Sequence, residues 1–452
     1  MTVYYAQIYD AMKKGLLLLL IIVGILFKSA PVYAALSLSE ACQRAFDYDA
    51  KYRSVVADNA IYQEEVAKAR SSFRPSLQFS AARGRSSTET TYPTGEIVDR
   101  DYSTENINLT VKQQLFNLSS FASYSQSKAV AAKGTALLKN EENQLVVRAV
   151  TAYVNVLLSQ DNLDYSQAQE AAVKEQLDRA KRRYSAGYGT ITEISEAQAQ
   201  YDLVLAESLA FQSSYEIKKR ELENIIGLYA DSLKIFDPGK MEMVMPEPKD
   251  ANEWVESALN NNYNIKAASE EIVVAKKEVQ KSRAVRYPVL TVQAFKALSD
   301  SESNTSIGYK YDTYGVSLQA SLPIYTGGYI SSTVRQAKAR LMKANEEHSV
   351  QERFVATEVR NYYNGVLSSI AETKAYAQAV KSSKVALTGT MKGYTAGFRS
   401  NVDVLNAQRN LFDNKRKLAK ARYSYVVNLV SLKGVCGKLK QDDISVLDGW
   451  MK

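Results

Sequence analysis

Histidine and cysteine are almost absent from this chain. Among 452 residues there is one histidine, His348, and two cysteines, Cys42 and Cys436. So small a stock leaves no room for a His-based triad, a zinc site or a disulfide framework. Breakers are scarce too, with 20 glycines and 8 prolines, which favours long regular elements over a loop-rich domain. The charge balance is mild. The formal net charge of +8 is spread along the chain and gives no reason to expect nucleic acid as a partner. No phosphate-binding loop, dinucleotide glycine pattern, metal spacing or nucleophile elbow appears, so neither an enzyme nor a cofactor is expected.

The only long apolar run lies at the start. Lys13 and Lys14 precede Leu16–Phe27, and Ala30-Pro31-Val32-Tyr33-Ala34 follows, with Val32 and Ala34 where a signal peptidase accepts small residues. The run is too short for a span of about 20 residues, so residues 1–34 read as a cleaved export signal. Its three lysines and one aspartate leave with it, and the mature charge falls from +8 to +6. An exported chain without a helical span can still cross a membrane as a barrel, because barrel strands escape a hydropathy scan.

The rest is a duplication. Ser71-Ser72-Phe73-Arg74-Pro75 matches Ala284-Val285-Arg286-Tyr287-Pro288, and Tyr153-Val154-Asn155 matches Tyr362-Tyr363-Asn364. Tyr184-Ser185-Ala186-Gly187 matches Tyr394-Thr395-Ala396-Gly397, and Gly227 matches Gly437. These pairs keep their order at a nearly constant offset. The expected organisation is a first repeat over 35–228, a linker over 229–250 holding Pro238-Gly239 and Pro246-Glu247-Pro248, and a second repeat over 251–438. A tail, 439–452, reads as no more than surface polarity.

Each repeat predicts helix, strand, polar loop, strand, very long helix, tight turn, shorter helix. Leu77–Ala81, Ile107–Lys112, Leu290–Ala294 and Val316–Leu322 alternate apolar and polar, as strands with one apolar face do. Segments 84–104 and 297–312, rich in Ser, Thr, Asp, Glu and Tyr, read as exposed loops. From Ser119 to Ser185 there is no proline and Gly134 is the one glycine, so a helix there would span roughly 100 Å. Val146, Val150, Tyr153 and Leu157 form one stripe on it, and Leu145, Ala149, Ala152 and Val156 the next. Arg148, Thr151, Asn155 and Ser159 form the polar side. Such a broad apolar face suits packing against a neighbour on each side.

Alternating strands can lie in a membrane only as a closed barrel, and single-chain barrels begin at about eight strands. Four per chain therefore require an oligomer. The chain resembles the TolC family of outer-membrane channels over essentially its whole mature length. The resemblance is carried by Leu36-Ser37-Leu38-Ser39-Glu40-Ala41, Leu322-Pro323-Ile324-Tyr325-Thr326-Gly327-Gly328, Gly393 directly before Tyr394-Thr395-Ala396-Gly397, Val402-Asp403-Val404-Leu405-Asn406-Ala407 and Ala421-Arg422-Tyr423-Ser424-Tyr425. It implies a mainly α homotrimer with a small β part: a barrel of 12 helical strands continuous with a 12-stranded β-barrel in outer-membrane lipid, and an equatorial region at the linker. It further implies a passive exit duct for efflux or type I secretion, extending into the periplasm and working with a periplasmic adaptor and an inner-membrane transporter.

The two helix-turn-helix tips are the candidate functional sites. Ala186, Gly187 and Tyr188 form one, Ala396, Gly397 and Phe398 the other, and the resemblance implies that they dock the adaptor. Glu193 and Glu196 follow the first tip on one helix face, and Asp403 and Asn406 hold the equivalent places after the second. Under threefold symmetry each acid becomes a ring of three, which attracts cations, although a solvated acidic helix start would look the same. The resemblance implies a gate in which Arg399 and Tyr394 bond to Glu193, a Glu where the family has Asp. At Asn406 the family has an acid, and Glu196 is a candidate substitute. Cys42 and Cys436 are expected as two separate buried thiols, with a periplasmic disulfide between them as the alternative, and His348 as a surface residue. The competing class is a trimeric coiled-coil structural or adhesive surface protein, which accounts for the helices but leaves the internal strands without a role.

Overall fold

In the computed structural model the described residues are 35–230, 232–301 and 308–452. The expected export signal, 1–34, lies outside them. The helix–strand–strand–helix order occurs twice. In the first half, α1 (Leu38–Tyr48) and α2 (Ala50–Ser71) lead into β1 (Ser76–Thr91) and β2 (Ile97–Phe116), then α3 (Leu118–Ser185) and α4 (Ile191–Ile226). In the second, α5 (Ala251–Asn261) and α6 (Tyr263–Ala284) lead into β3 (Val289–Ser301) and β4 (Tyr309–Ser321), then α7 (Tyr329–Thr395) and α8 (Asn401–Val435). A final helix, α9 (Gln441–Gly449), ends the chain. None of the described helices is long and apolar enough to cross a membrane.

The helices begin where the sequence supplies side-chain acceptors. Ser37 and Glu40 form a capping box on α1, Asp49 caps α2, and Asn117 accepts from the amides of Ser119 and Ser120 at the head of α3. At 68 residues, α3 is about 100 Å long. Gly134 lets α2 lie close against it, since a Cβ there would come within 2.6 Å of the Tyr62 ring.

The four strands form one antiparallel sheet in the order β1-β2-β3-β4, and its two edges, β1 and β4, have no partner strand within the described residues. Register places Leu77 beside Val111 and Phe79 beside Leu109, then Val111 beside Ala294 and Ala294 beside Val316. One face thus carries Leu77, Phe79, Leu109, Val111, Val316 and Leu318, all exposed in the isolated chain, while the other carries Gln78, Ser80, Asn108 and Thr110. Above the apolar rows the same face turns charged. Arg83 pairs with Glu105 at 2.9 Å and Lys310 with Asp300 at 2.6 Å, in one row across all four strands.

The segments expected as polar loops are largely strand. β1 runs on to Thr91 and β2 starts at Ile97, with a tight turn in which the Tyr92 amide donates to the Glu96 carbonyl at 2.8 Å. In the second half β3 reaches Ser301 and β4 begins at Tyr309, so only residues 302–307 of the expected loop fall outside the description. Ser, Thr and Tyr are polar or amphipathic yet tolerate extended backbone well, so the ladder continues after the apolar alternation stops.

The main core sits beside the middle of α3, where Leu145, Ala149, Val150, Tyr153, Val154, Val156 and Leu157 pack with α1, the end of α4 and the α8 residues Tyr425, Val426 and Val430. Ser159, placed on the polar side by its spacing, is buried and donates to the Val156 carbonyl at 2.8 Å. Arg148 from that side reaches back to Asp49 at 3.2 Å and Glu141 at 2.6 Å, tying the α1–α2 junction to α3.

The linker and the tail wrap this core. Leu36 bridges Leu233, and Phe236 bridges Met451. Three tyrosines hold the linker backbone: Tyr153 donates to the Lys234 carbonyl (2.8 Å) or the Leu36 carbonyl (2.7 Å), Tyr425 to Val244 (3.0 Å), and Tyr363 to Lys249. The tail is not surface polarity. Ile444, Leu447 and Met451, spaced three and four apart, are buried against the main core.

Candidate functional site: the helix-turn-helix tips

Both long helices end in the same hydrogen-bonded turn. Gly187 has φ +79° and Gly397 φ +83°. In the first tip the Gly187 amide donates to Tyr184 (3.0 Å) and the Tyr188 amide to Arg183 (3.0 Å). In the second the Gly397 amide donates to Tyr394 (3.1 Å) and the Phe398 amide to Gly393 (2.8 Å). This paired closure satisfies the last helical carbonyls and needs a left-handed residue, which glycine supplies without strain. The next helix then starts on a hydroxyl. Thr190 accepts from the Glu193 amide, and Ser400 accepts from the Asp403 amide while Asp403 Oδ2 accepts from the Ser400 amide at 2.9 Å.

The turn geometry drives two rings into solvent: Tyr188 is 80% exposed and Phe398 86%. Ala186 and Ala396 lie beside them, exposed. Each tip therefore presents an aromatic knob on a hydrogen-bonded, sharply reversed backbone.

Behind the tips the acids differ from one another. Glu193 is half-buried, and its Oε2 is enclosed without a hydrogen-bond partner. Glu196 and Asn406 are exposed. Asp403 is held below the usual carboxylate range, first by the Ser400 amide, then by the Ser400 hydroxyl, with Arg399 adding an attractive charge.

Of the expected gate residues, Tyr394 is buried and its hydroxyl has no partner. Among the described residues no hydrogen bond joins Glu193 to Tyr394 or Arg399 within the chain. Other residues make the links between the two hairpins. Arg183 at the end of α3 stacks over the Tyr394 ring at 4.8 Å. Asn401 at the start of α8 donates to the Glu193 carbonyl at 3.3 Å and accepts from Gln176 of α3. The sequence did carry a sign of the last two contacts. The stripe Val404, Leu405, Leu411 and Phe412 on α8, extended one turn back, runs through Asn401, and Gln408 interrupts it.

Cys42 and Cys436 are free and buried, one in the main core and the other in the separate cluster of α5, α6, α7 and α8. Burial pushes the Cys42 thiol up to about 12 and the Cys436 thiol to about 11. His348 lies partly covered, 3.7 Å from Glu352 one turn on. Among the described residues no group of His, Cys, Asp and Glu could hold a metal ion.

Sequence and structure comparisons agree with this geometry. The model of the outer membrane efflux protein family matches the chain twice, over residues 50–228 and 254–438. The alkaline protease secretion protein AprF of Pseudomonas aeruginosa is 30% identical over 417 residues, 91% of this chain and 87% of that protein. The outer membrane protein TolC of Escherichia coli is 30% identical over 453 residues, 97% of this chain and 89% of that one. In three dimensions the Campylobacter jejuni CmeC outer membrane channel superposes with a TM-score of 0.76 at 16% identity, over 89% of this chain and 86% of that one. The outer membrane protein VceC of Vibrio cholerae gives 0.72 at 19% identity, over 88% and 96%. Nothing in these likenesses supports a coiled-coil stalk or adhesin. The chain belongs to the outer membrane efflux protein family and is a TolC-type efflux or secretion channel of the outer membrane, reaching into the periplasm, and not an enzyme.

Proposed function

We propose that three copies close into one passive exit duct, gated at the helix-turn-helix tips and opened when a periplasmic adaptor and an inner-membrane transporter engage them. The observation that carries this reading is the pairing of two ends on one chain. At one end lies a four-stranded sheet with an apolar face and two unpartnered edges, which must close with strands of other copies. At the other end, about 100 Å away along α3 and α7, lie two matching tips with exposed aromatic knobs.

The knobs Tyr188 and Phe398, with Ala186, Gly187, Ala396 and Gly397, are the adaptor's docking points. Glu193, Glu196, Asp403 and Asn406 line the narrow mouth, where copies of Asp403 in a ring draw cations and repel one another. Tyr394 and Arg399 latch it. In support, the Tyr394 hydroxyl and Glu193 Oε2 are a donor and an acceptor buried without partners in the single chain, so a rearrangement of the mouth that gives them partners is favoured. Opening would shift the population toward a state in which the hairpins separate.

Planar-bilayer conductance of the purified oligomer tests the reading, with Asp403→Asn and the pair Arg399→Ala/Tyr394→Phe alongside. Small cation-selective steps are expected, losing selectivity in Asp403→Asn and growing in the pair. Asn keeps an acceptor for the Ser400 amide, so only the charge is removed. A well-assembled oligomer that never conducts would sink the duct reading.

A further inference from the structure

Near the tips, one narrow strip of α8 joins the second hairpin to the first. Asn401 and Leu405 are four residues apart and face the same way. Leu405 packs among Val173 and Leu177 of α3 and Ala197 and Val204 of α4. Asn401, 1% exposed, makes the polar half of the same contact. Its Oδ1 accepts from Nε2 of Gln176, itself buried on α3, and its Nδ2 donates to the Glu193 carbonyl on α4 at 3.3 Å.

We infer that Asn401 is a positioning residue, a polar clasp that holds the second hairpin in register against the first while the mouth is closed, and that must be undone for the mouth to widen. The inference rests on reading the tips as the gate. An amide has two chemically different ends, and here the acceptor end faces α3 while the donor end faces α4. No displacement of α8 away from that pair leaves both satisfied. Separation strands the Asn401 and Gln176 amides until water reaches them, while the Glu193 carbonyl keeps its bond within α4, so intermediate positions are disfavoured. The seam then has two arrangements rather than a continuum. Leu405 alone could slide along its apolar neighbours, whereas a buried asparagine in a helical seam fixes one register.

Single-channel recordings decide the matter. Asn401→Leu and Gln176→Leu fill the seam but cannot bond across it. Each is expected to raise the resting conductance several-fold at unchanged oligomer assembly. The double variant should conduct no more than the larger single one, because both remove the same bond. Arg399→Ala/Tyr394→Phe, recorded alongside, separates the two ideas. If that pair conducts more while both leucine variants match the unmodified channel, the clasp is wrong and the gate stands. If the pair changes nothing while both leucine variants conduct more, the Arg399–Tyr394 latch fails and the clasp stands; if none of the three changes anything, the gate reading fails and the clasp with it. Single-variant increases that simply add would show Asn401 and Gln176 acting separately, which also overturns the clasp. Should Asn401→Leu fail to assemble, Gln176→Leu carries the test, since it leaves the Asn401 bond to Glu193 in place.

Discussion

Replacing Tyr153 with phenylalanine removes one hydroxyl from the middle of the molecule, and the structure allows its cost to be worked out. The ring is fully buried, so Phe keeps the packing and loses only the bond. Two carbonyls share that hydroxyl, those of Leu36 and Lys234. The Leu36 carbonyl also accepts from the Lys234 amide at 3.0 Å and remains satisfied. One acceptor, the Lys234 carbonyl, is orphaned in a half-buried place, which costs about 1–2 kcal/mol. Because the loss falls on the linker, local opening of 232–236 should rise by roughly 5- to 30-fold. Hydrogen exchange read by mass spectrometry on linker peptides measures it directly, with peptides from the tips as controls. Burial raises the Tyr153 phenol above its ordinary value, so the bond is fully present below about pH 10 and is lost only as the pH climbs through the raised value. The contrast between Tyr153 and Phe should therefore be flat from pH 6 to 9. Unchanged exchange in the linker, or a rise of equal size at the tips, would refute the reasoning, since either outcome means the hydroxyl does not anchor the girdle.

Further outcomes follow from the tips and the thiols. Gly187→Ala and Gly397→Ala should each destabilise their turn by about 1–2 kcal/mol, seen as faster protease nicking at the tip. A Cβ at either position meets nothing within 4 Å, so the whole cost is backbone strain and larger side chains should cost little more. The Ser400 contacts that lower the Asp403 carboxyl oppose the repulsion within a ring of copies, so Ser400→Ala should move the loss of cation selectivity on acidification to higher pH. A selectivity titration that Ser400→Ala leaves unmoved would point to another acid. Neither Cys42 nor Cys436 should react with a maleimide at pH 8 in the folded oligomer, and both should after denaturation, since burial keeps each thiol protonated.

Much of this architecture was legible because it is periodic. The absence of proline between Ser119 and Ser185, the alternation at Leu77–Ala81 and the repeated Tyr-x-Ala-Gly each report local physics, and the elements follow. Most of what escaped had no period to read. The strands outlast their apolar alternation because Ser and Thr continue a ladder silently. The linker is fixed by tyrosine hydroxyls on backbone carbonyls, and a carbonyl leaves no trace in a sequence. The tail was legible in principle, since Ile444, Leu447 and Met451 follow a helical spacing within a short polar segment. At the tips the glycines and caps could be located, but the partners of Asn401 lie 225 and 208 residues away in the chain, and only packing one hairpin against the other brings them together.

The distribution of burial along the helices bears on how such a duct could open. The largest apolar cluster, with Leu145, Tyr153, Leu157 and Tyr425, lies at mid-height, where the linker and α9 wrap it. Toward the tips the apolar packing dwindles to one small cluster around Leu177 and Leu405. Free energy of local opening scales with apolar contact, so the tips are the part of the helical body that can rearrange while the middle stays fixed. A small apolar cluster would also leave the closed position poorly defined, and directional polar contacts make up that deficit. Asn401 and the Arg183–Tyr394 stack occur where packing is thinnest. On the proposed gating, the mouth needs little free energy to move, yet has a defined position to return to.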